Sequence, residues 1–321
     1  MTLAELVAAL RQGRGLAHKG DIAPVVARLG LAGSAVPVGD DCAAIPDGDG
    51  FLLLAIEGFL NEFVAVDPWF AGYCGVMVNL SDVAAMGGRA TAIVDAVWSD
   101  GLDGAAQMLD GLAIAARTYG VPVVGGHTNT RSDRGQLSVA VLGRARRLLT
   151  SFDARPGDIL IAAIDLRGHY REPHPYWDAS TSADPQRLRG DLAVLAEIAE
   201  AGLCHAAKDV SMGGVIGTAL MLLECSRVGA SIDIGAVPRP PGMPLRRWLE
   251  TFPSFGFLLS VPPEACHAVL ERFAARDIAA AVIGRCDASR RVRLIESGEE
   301  AAFWDFTDST LIGCNRDLAN A

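Results

Sequence analysis

Short apolar runs that alternate with longer amphipathic segments constrain the fold of this chain more than any other feature. Phe51–Ile56 is an apolar run between the turn-forming PDGDG and Gly58, which predicts a buried strand. Ala71–Met86 then carries apolar side chains at helical spacing and stops at Gly87–Gly88, because glycine readily takes the left-handed conformation that ends helices. The alternation predicts a mixed α/β fold.

The same pattern continues along the chain, with polar or glycine-rich segments between the expected elements. In the first half, the last two strands are adjacent and could pair antiparallel. The further strands are expected at Ala92–Trp98, Val121–Val124, Leu137–Leu142, Ile159–Ile164, Phe255–Val261, Ala280–Gly284 and Arg291–Ile295, and the further helices at Ala105–Tyr119, Arg189–Gly202, Gly213–Val228 and Pro263–Arg276. The glycine-flanked segment Gly13–Asp21 near the N-terminus is typical of a mobile arm.

The length of 321 residues favours two domains, because a single hydrophobic core usually stops growing at about 250–300 residues. The turn cluster Ala154–Asp158 precedes a fresh apolar strand and marks the boundary. We therefore expect an N-terminal domain over residues 1–152 and a C-terminal domain over residues 153–321.

The charge and the cysteine pattern exclude several classes of protein. A net charge of −10 argues against a nucleic-acid partner, whose phosphates are bound by clustered Lys and Arg. The seven cysteines form no CxxC pair and are expected to be reduced core residues. We expect a cytoplasmic protein, since the N-terminus does not resemble a signal peptide and no apolar stretch approaches the ~20 residues of a membrane helix.

Two acidic segments lie at junctions between expected elements. In Gly39–Ala44, the adjacent Asp40 and Asp41 could project toward a metal, although an Asx-turn that bonds its own amides explains the same residues. In the second segment, Asn79 and Asp82 are spaced i, i+3, which on a helix places both oxygen ligands on one face. A solvated polar stripe is the alternative there.

Two glycine-rich segments could bind a phosphate. Val123–Thr130 runs from an apolar strand into Gly125, Gly126, His127 and Thr128, where glycine lets backbone amides approach an anion. Lys208–Gly214 immediately precedes a helix, so Asp209 or Ser211 is either an ordinary N-cap or part of an anion site at the helix N-terminus. Each segment by itself is a weak signal, and their joint order is a strong one.

That order resembles the superfamily of aminoimidazole ribonucleotide (AIR) synthase, thiamine-monophosphate kinase, selenophosphate synthetase and a hydrogenase maturation factor. The matching motifs are a GDDxA turn at Gly39–Ala43, NLSDxAAMG at Asn79–Gly87, GGxT at Gly125–Thr128, PGD at Pro156–Asp158 and DxSxGG from Asp209. The resemblance covers most of the chain, and a generic AIR synthase-related member fits better than any one of these enzymes.

The resemblance implies a two-domain PurM-like fold of the α/β (α+β) class. Its N-terminal domains would pair in a homodimer to form a shared β-barrel, and its C-terminal domain would be an α/β sandwich. ATP would lie in a cleft between the domains, with Mg²⁺ bridging its phosphates to acidic side chains. The implied metal ligands are Asp40, Asp41, Asp82 and Asp209, and the implied nucleotide-binding residues are Asp40, Asp41, Asn79, Asp82, Gly125, Gly126, His127, Thr128, Asp209 and Ser211.

The chain departs from these relatives at Glu57 and His127, whereas Lys19 matches one of them. Glu57 stands where the kinase branch has a Thr-Asp pair that supplies a metal ligand, so either Glu57 reaches the metal or one Mg²⁺ is missing. His127 replaces an acidic residue of the kinase and synthase branches, a feature shared with selenophosphate synthetases, but the reactive cysteine of that family is absent. Lys19 lies where selenophosphate synthetases carry a phosphate-contacting lysine, and a solvated surface lysine is the alternative.

The predicted activity is therefore that of an ATP-dependent phosphotransferase, or of an ATP-driven synthase or ligase, acting on a small molecule. Lys19, Asp82 and His127 are the candidate catalytic residues. Two non-catalytic alternatives remain, an ATP-binding regulatory protein and a scaffold homodimer. The segment Arg167–Asp178 is expected to contact substrate or, alternatively, a dimer partner, through residues His169, Tyr170, Arg171, Tyr176 and Trp177.

Overall fold

The computed structural model describes residues 1–31 and 34–314, which form two compact units. The five-stranded unit comprises Cys42–Leu148 and Ala183–Glu197, and the seven-stranded unit comprises the described residues of 1–41, 149–182 and 198–321. Each unit is considered by itself below.

The helices and strands alternate along the chain as the sequence predicts. The helices are α1 (Leu3–Arg11), α2 (Arg14–Gly20), α3 (Ile22–Arg28), α4 (Asn61–Val66), α5 (Pro68–Ala85), α6 (Gly101–Tyr119), α7 (Pro185–Glu200), α8 (Gly214–Ser226), α9 (Leu245–Leu249) and α10 (Cys266–Ala274). The strands are β1 (Ala43–Asp47), β2 (Gly50–Gly58), β3 (Arg89–Asp100), β4 (Val123–Asn129), β5 (Arg131–Ala145), β6 (Ile159–Ile164), β7 (His169–Tyr170), β8 (Tyr176–Asp178), β9 (Ala206–Asp209), β10 (Gly229–Asp233), β11 (Phe252–Pro253), β12 (Gly256–Val261), β13 (Ala279–Asp287), β14 (Arg291–Glu296) and β15 (Glu299–Asp305).

The five-stranded unit is built on a sheet of order β1-β2-β5-β3-β4, in which only β3 and β4 run parallel. Helix α5 is buried along nearly its whole length, as expected of a helix that is apolar all round. It begins at Pro68, where the Asp67 side chain accepts a hydrogen bond from the Phe70 amide at 3.2 Å. Strand β5 lies between β2 and β3, so the expected pairing of the last two strands with each other is wrong.

The seven-stranded unit contains a sheet of order β15-β14-β10-β13-β6-β12-β9 and a small sheet of order β11-β8-β7. The apolar helix α8 is buried with the central strands, which read as near-continuous apolar runs because both faces of this sheet are covered. The N-terminal helix α1 packs in the same core, and Arg11 Nε donates to the Phe303 carbonyl at 2.8 Å.

The segment Gly13–Asp21 is helical rather than a mobile arm. It forms α2, in which Leu16 is buried in the core of the seven-stranded unit. Burial of this one apolar side chain, together with close backbone packing described below, outweighs the flexibility that three glycines give an isolated segment.

The expectation of reduced cysteines is confirmed. Six of the seven are buried and all seven are free thiols, with Cys266 partly exposed. Among the described residues, no helix combines the length and apolarity that crossing a membrane requires.

Candidate functional site

The Gly39–Asp41 turn of the seven-stranded unit packs against buried side chains at Gly39. Gly39 has a φ of 132°, which strongly favours glycine. A Cβ atom on Gly39 would lie 2.8 Å from Cβ of Cys314 and 2.9 Å from Sγ of Cys225. The turn therefore packs tightly against two buried cysteines. This contact fixes the backbone position from which the Asp40 and Asp41 side chains project.

Asp40 and Asp41 bond to distant segments rather than to their own turn. The Asp40 carboxylate accepts a hydrogen bond from the Ser151 amide, and the Asp41 carboxylate is bonded by Lys208 and by the Asp209 amide. The Asx-turn alternative is therefore wrong. Burial raises the pKa of Asp40 to about 7, although the Ser151 amide and the Lys208 ammonium favour the ionised form.

Lys208 pairs with Asp41 inside the protein. Its ammonium forms an ion pair with Asp41 Oδ1, and only 4% of the residue is exposed. Burial lowers the pKa of Lys208, but the charge and hydrogen bond of Asp41, together with the nearby Asp209 charge, raise it by more, so the net pKa is raised. The Asp209 amide donates to Asp41 Oδ2 at 3.3 Å, and a carboxylate oxygen of Asp209 lies within 4.8 Å of one of Asp41. The site thus combines two adjacent carboxylates with one buried cation.

Helix α2 docks onto the segment that follows Asp209. A Cβ atom on Gly15 would lie 2.5 Å from the Cα and N atoms of Gly213, so the two backbones approach this closely only because residue 15 is glycine. Lys19 Nζ donates to Ser211 Oγ at 3.2 Å, and His18 Nδ1 lies 3.2 Å from Met212 Sδ. Lys19 is therefore anchored beside Asp209 and Ser211, which contradicts the alternative of a freely solvated lysine.

These residues fit a magnesium-nucleotide complex by their chemistry. Carboxylate oxygens such as those of Asp41 and Asp209 are the hard donors that Mg²⁺ prefers. Gly213 caps the N-terminus of α8, a 13-residue helix, with a φ of 106°, and a helix N-terminus favours anions. Lys19 adds a positive charge beside the same segment.

In the five-stranded unit, Asn79 and Asp82 lie on α5 and are buried, with exposed fractions of 0% and 5%. The alternative of a solvated polar stripe is therefore wrong. The Asn79 amide donates to the carbonyl oxygens of Gly75 and Val139, at 2.7 and 3.0 Å. Its Oδ1 atom is buried and has no hydrogen-bond partner among residues 1–31 and 34–314, so this amide oxygen could accept a bond from a ligand or water.

Glu57 and Asp95 share the helix-covered face of the five-stranded sheet. The register places Glu57, Val139, Asp95 and Gly126 side by side on β2, β5, β3 and β4. Val139 faces α5, because a Cβ on Gly75 would lie 2.7 Å from its Cγ2 atom, and laterally paired residues point to the same face. Glu57 therefore projects toward the face covered by the helix that carries Asp82. Burial raises the pKa of Asp95.

His127 lies on the opposite face of that sheet. Gly125–Thr128 belongs to strand β4, so the strand expected to end at Val124 continues through these residues. His127 is in register with Ala96, and its ring lies 6.2 Å from that of Trp98. Every residue of β4 is exposed, because this strand forms the edge of the sheet. Within the five-stranded unit, the structure does not bring His127 together with Asp82.

The aromatic segment predicted to contact substrate forms the small sheet of the seven-stranded unit. Tyr170 bonds Thr251 through its hydroxyl at 2.6 Å, and the Arg247 guanidinium lies 3.7 Å above its ring centroid. Tyr176 stacks on His174, with ring centroids 5.1 Å apart.

Two other residues of this segment have structural contacts. Arg171 lies 4.0 Å from the buried Asp178. Trp177 is buried against Trp248, and its indole N–H donates to the Asp165 carbonyl at 3.0 Å. Trp177 is therefore a core residue, which corrects the expectation that it faces a ligand. His169 and Tyr176 remain at least partly exposed.

Lys208 and Asp95 are two candidate functional residues that the motifs do not single out. Lys208 is only the first residue of the segment Lys208–Gly214, and a lone lysine normally indicates solvated surface. Its place in the apolar strand β9, where every residue is buried, was the available signal. Asp95 interrupts the apolar strand β3 in the same way. At both positions, a charged residue within an otherwise apolar strand indicates a candidate functional residue.

Comparison with other proteins identifies the family of the chain. Two family models match the chain: AIR synthase related protein, N-terminal domain, over residues 39–145, and AIR synthase related protein, C-terminal domain, over residues 157–297. The chain belongs to the AIR synthase related family.

Two curated relatives are similar to the chain over about two thirds or more of its length. An uncharacterized protein of Synechocystis sp., sll0787, is 46% identical over 321 residues, which span 98% of this chain and 99% of the relative. Thiamine-monophosphate kinase of Methanospirillum hungatei is 29% identical over 222 residues, which span 66% of this chain and 74% of the kinase.

The solved structure of Thermotoga maritima PurL complexed with ATP has a TM-score of 0.71 at 21% identity. It covers 89% of this chain and 50% of that PurL chain, so this chain spans about half the length of PurL. The predicted mixed α/β, PurM-like fold is confirmed.

Proposed function

We propose that the chain is a magnesium-dependent enzyme that uses ATP to phosphorylate or to activate a small molecule. The proposal is supported by its relation to thiamine-monophosphate kinase and by the fold shared with a PurL that was solved with ATP. The observation that carries it is the convergence of Asp41, Asp209 and Lys19 on the segment that opens helix α8.

The residues of the seven-stranded unit have separate roles in this proposal. Asp209, together with the Asp41 oxygen that Lys208 does not bond, would hold a magnesium ion, which would neutralise the charge of the ATP phosphates. Lys19, anchored at Ser211, donates to the transferred phosphoryl group as negative charge develops on its oxygens. Phosphoryl transfer depends mainly on such positioning and charge neutralisation, so a covalent protein nucleophile is not required.

The five-stranded unit carries its own candidate ligands, which the motif match assigns. Asp82 and the unpartnered oxygen of Asn79 are proposed as further oxygen donors, with Glu57 on the same face of the sheet. The exposed edge strand β4, which carries Gly125, Gly126 and Thr128, would offer the nucleotide those backbone amides that do not bond β3. His127 is proposed to contact ATP from the opposite face rather than to act on the same atom as Asp82.

Substrate selection is proposed for the small sheet of the seven-stranded unit. The Arg247 guanidinium over the Tyr170 ring combines a positive charge with an aromatic surface; His169 directly precedes Tyr170, and Tyr176 lies on the neighbouring strand β8. A small molecule with an anionic group and a planar part matches these side chains.

The first test is titration calorimetry with ATP and Mg²⁺, in wild type and in the Asp209→Asn and Asp82→Asn variants. Wild type should bind, and each variant should lose at least about tenfold in affinity, because one charged ligand of the ion is gone. The exposed Asp184→Asn variant is the control and should bind like wild type. No heat and no thermal shift at millimolar nucleotide would leave only the scaffold alternative.

The second test separates an enzyme from an ATP-binding regulatory protein. ADP release is measured with a panel of small molecules, in wild type and in Asp82→Asn. A wild type that releases ADP no faster than Asp82→Asn with every molecule would exclude catalysis.

Lys19→Ala should lower kcat more than it weakens ATP binding, since the contact of Lys19 is strongest in the transition state. Unchanged kcat would remove Lys19 from the mechanism.

We further propose that the chain is a homodimer, as the shared barrel of its relatives implies. The support is the apolar outer face of the five-stranded sheet, where Leu54, Ile56, Val94 and Leu142 are 48%, 70%, 42% and 40% exposed. Ile56→Asp should give a monomer by sedimentation, whereas Leu102→Asp, at an equally exposed position on α6, should not. Equal sedimentation of both variants and wild type would exclude this interface.

A further inference from the structure

Lys208 is buried, whereas lysines usually lie on the protein surface. Only 4% of it is exposed, on a strand whose four residues are all buried. Its ammonium is bonded to Asp41, whose side chain is 6% exposed. Burying a lysine and a carboxylate together is expensive, and an apolar pair of the same volume is often equally stable or more so. Core stability alone therefore does not explain why a lysine occupies this position.

The position of the ammonium points to a role in the candidate site. Asp41 Oδ1 is bonded by Lys208, while Asp41 Oδ2 is bonded by the Asp209 amide at 3.3 Å. The Asp209 carboxylate lies within 4.8 Å, and the charge of Lys208 also acts on Asp40. One ammonium thus sits among the three carboxylates of this unit to which a divalent ion would bind.

We propose that Lys208 is a built-in cation that takes the place of a second divalent ion at Asp41, beside the one ion proposed for Asp209 and Asp41. This inference rests on the proposed magnesium-dependent function and deepens it. An ammonium that neutralises Asp41 repels a second divalent cation, and it occupies the Asp41 oxygen that a second cation would need. The carboxylates of the seven-stranded unit then take one divalent ion fewer than their number allows, and Lys208 determines the metal stoichiometry of the site.

The test counts bound ions rather than turnover. Mn²⁺ is titrated into the full chain and its free concentration is followed by electron paramagnetic resonance, with and without a non-hydrolysable ATP analogue. Lys208→Met removes the charge at similar length, Lys208→Arg keeps the charge, and the double variant Lys208→Met/Asp41→Asn removes both partners of the pair.

The proposal expects Lys208→Met to bind one Mn²⁺ more than wild type, or to bind Mn²⁺ at least about tenfold more tightly. Lys208→Arg and the double variant should show no such gain. If Lys208→Met unfolds because Asp41 is left unpaired, Mn²⁺ should restore its folded fraction, and the titration of refolding then measures the same site.

The outcomes distinguish a failure of the proposed role of Lys208 from a failure of the proposed function. Equal Mn²⁺ binding by wild type and Lys208→Met, or a gain that also occurs in Lys208→Arg, would overturn the role of Lys208 and leave the proposed function standing. An extra ion in Lys208→Met that disappears in the double variant would establish it. Absence of Mn²⁺ binding in every variant, with and without the ATP analogue, would overturn both.

Discussion

A single methyl group at Gly39 should both destabilise the protein and displace the candidate site. The Gly39→Ala methyl would lie 2.8 Å from Cβ of Cys314 and 2.9 Å from Sγ of Cys225, whereas carbon atoms in contact prefer roughly 3.5–4.0 Å. The backbone must therefore move by about 0.7 Å or more. The φ of 132° adds strain for any residue with a side chain.

The magnitude follows from these two effects. Overpacking costs about 1–3 kcal/mol and a glycine-only conformation costs about 1–3 kcal/mol, so Gly39→Ala should lose about 4 kcal/mol of unfolding free energy. Because Asp40 and Asp41 follow directly, a shift of this size should also weaken binding of ATP and Mg²⁺ by about ten- to a hundredfold. Urea unfolding and titration calorimetry measure the two losses.

Two controls isolate the causes. Gly242 also has a positive φ, 75°, but a Cβ there meets nothing within 4 Å, so Gly242→Ala should lose only about 1 kcal/mol and leave ATP binding unchanged. Cys225→Ala removes one of the two clashing groups and should partly rescue Gly39→Ala in a double-mutant cycle. A Gly39→Ala variant within about 1 kcal/mol of wild type, with full affinity for ATP, would refute this account.

Three further predictions concern other contacts. Burial raises the pKa of Asp40 to about 7 in the folded protein, above its ordinary value of 3.8. The stabilisation that Asp40 contributes is therefore fully present below about pH 4 and is lost as the pH rises through 7. Without divalent ions, Asp40→Asn should flatten the fall in melting temperature between pH 4 and 8, and an unchanged pH profile would contradict this. Glu224 accepts amide bonds from Leu311, Ile312 and Gly313 at 3.0, 2.9 and 3.0 Å, so Glu224→Gln should lose about 2–3 kcal/mol in urea unfolding and the exposed control Glu264→Gln almost nothing. Gly126→Ala would place a methyl 2.4 Å from Asp95 Oδ1 and 2.8 Å from the Asp95 carbonyl oxygen, and should speed hydrogen exchange of β4, whereas Gly125→Ala, with open space, should not. Equal exchange in the two glycine variants would show that β4 absorbs the methyl without strain.

Local patterns predicted most elements of the fold but not their pairing. The apolar run at Phe51–Ile56 and the helical spacing at Ala71–Met86 lie within β2 and, but for one terminal residue, within α5. The insertion of β5 between β2 and β3 depends on contacts between residues far apart in sequence, which no local pattern encodes. The glycine-rich segment around Lys19 was misjudged for the same reason, since α2 is stabilised by docking against Gly213.

The sequence by itself determined the family, the alternation of strands and helices, and the identity of the acidic and glycine-rich segments. These follow from residue types at fixed spacing, and spacing is a property of the chain. Only the tertiary structure decided that His127 and Asp82 face opposite sides of one sheet, that Trp177 is a core residue, and that Lys208 is buried against Asp41. Which carboxylate meets which cation depends on packing across 167 residues of sequence separation, and that packing is fixed by the folded core.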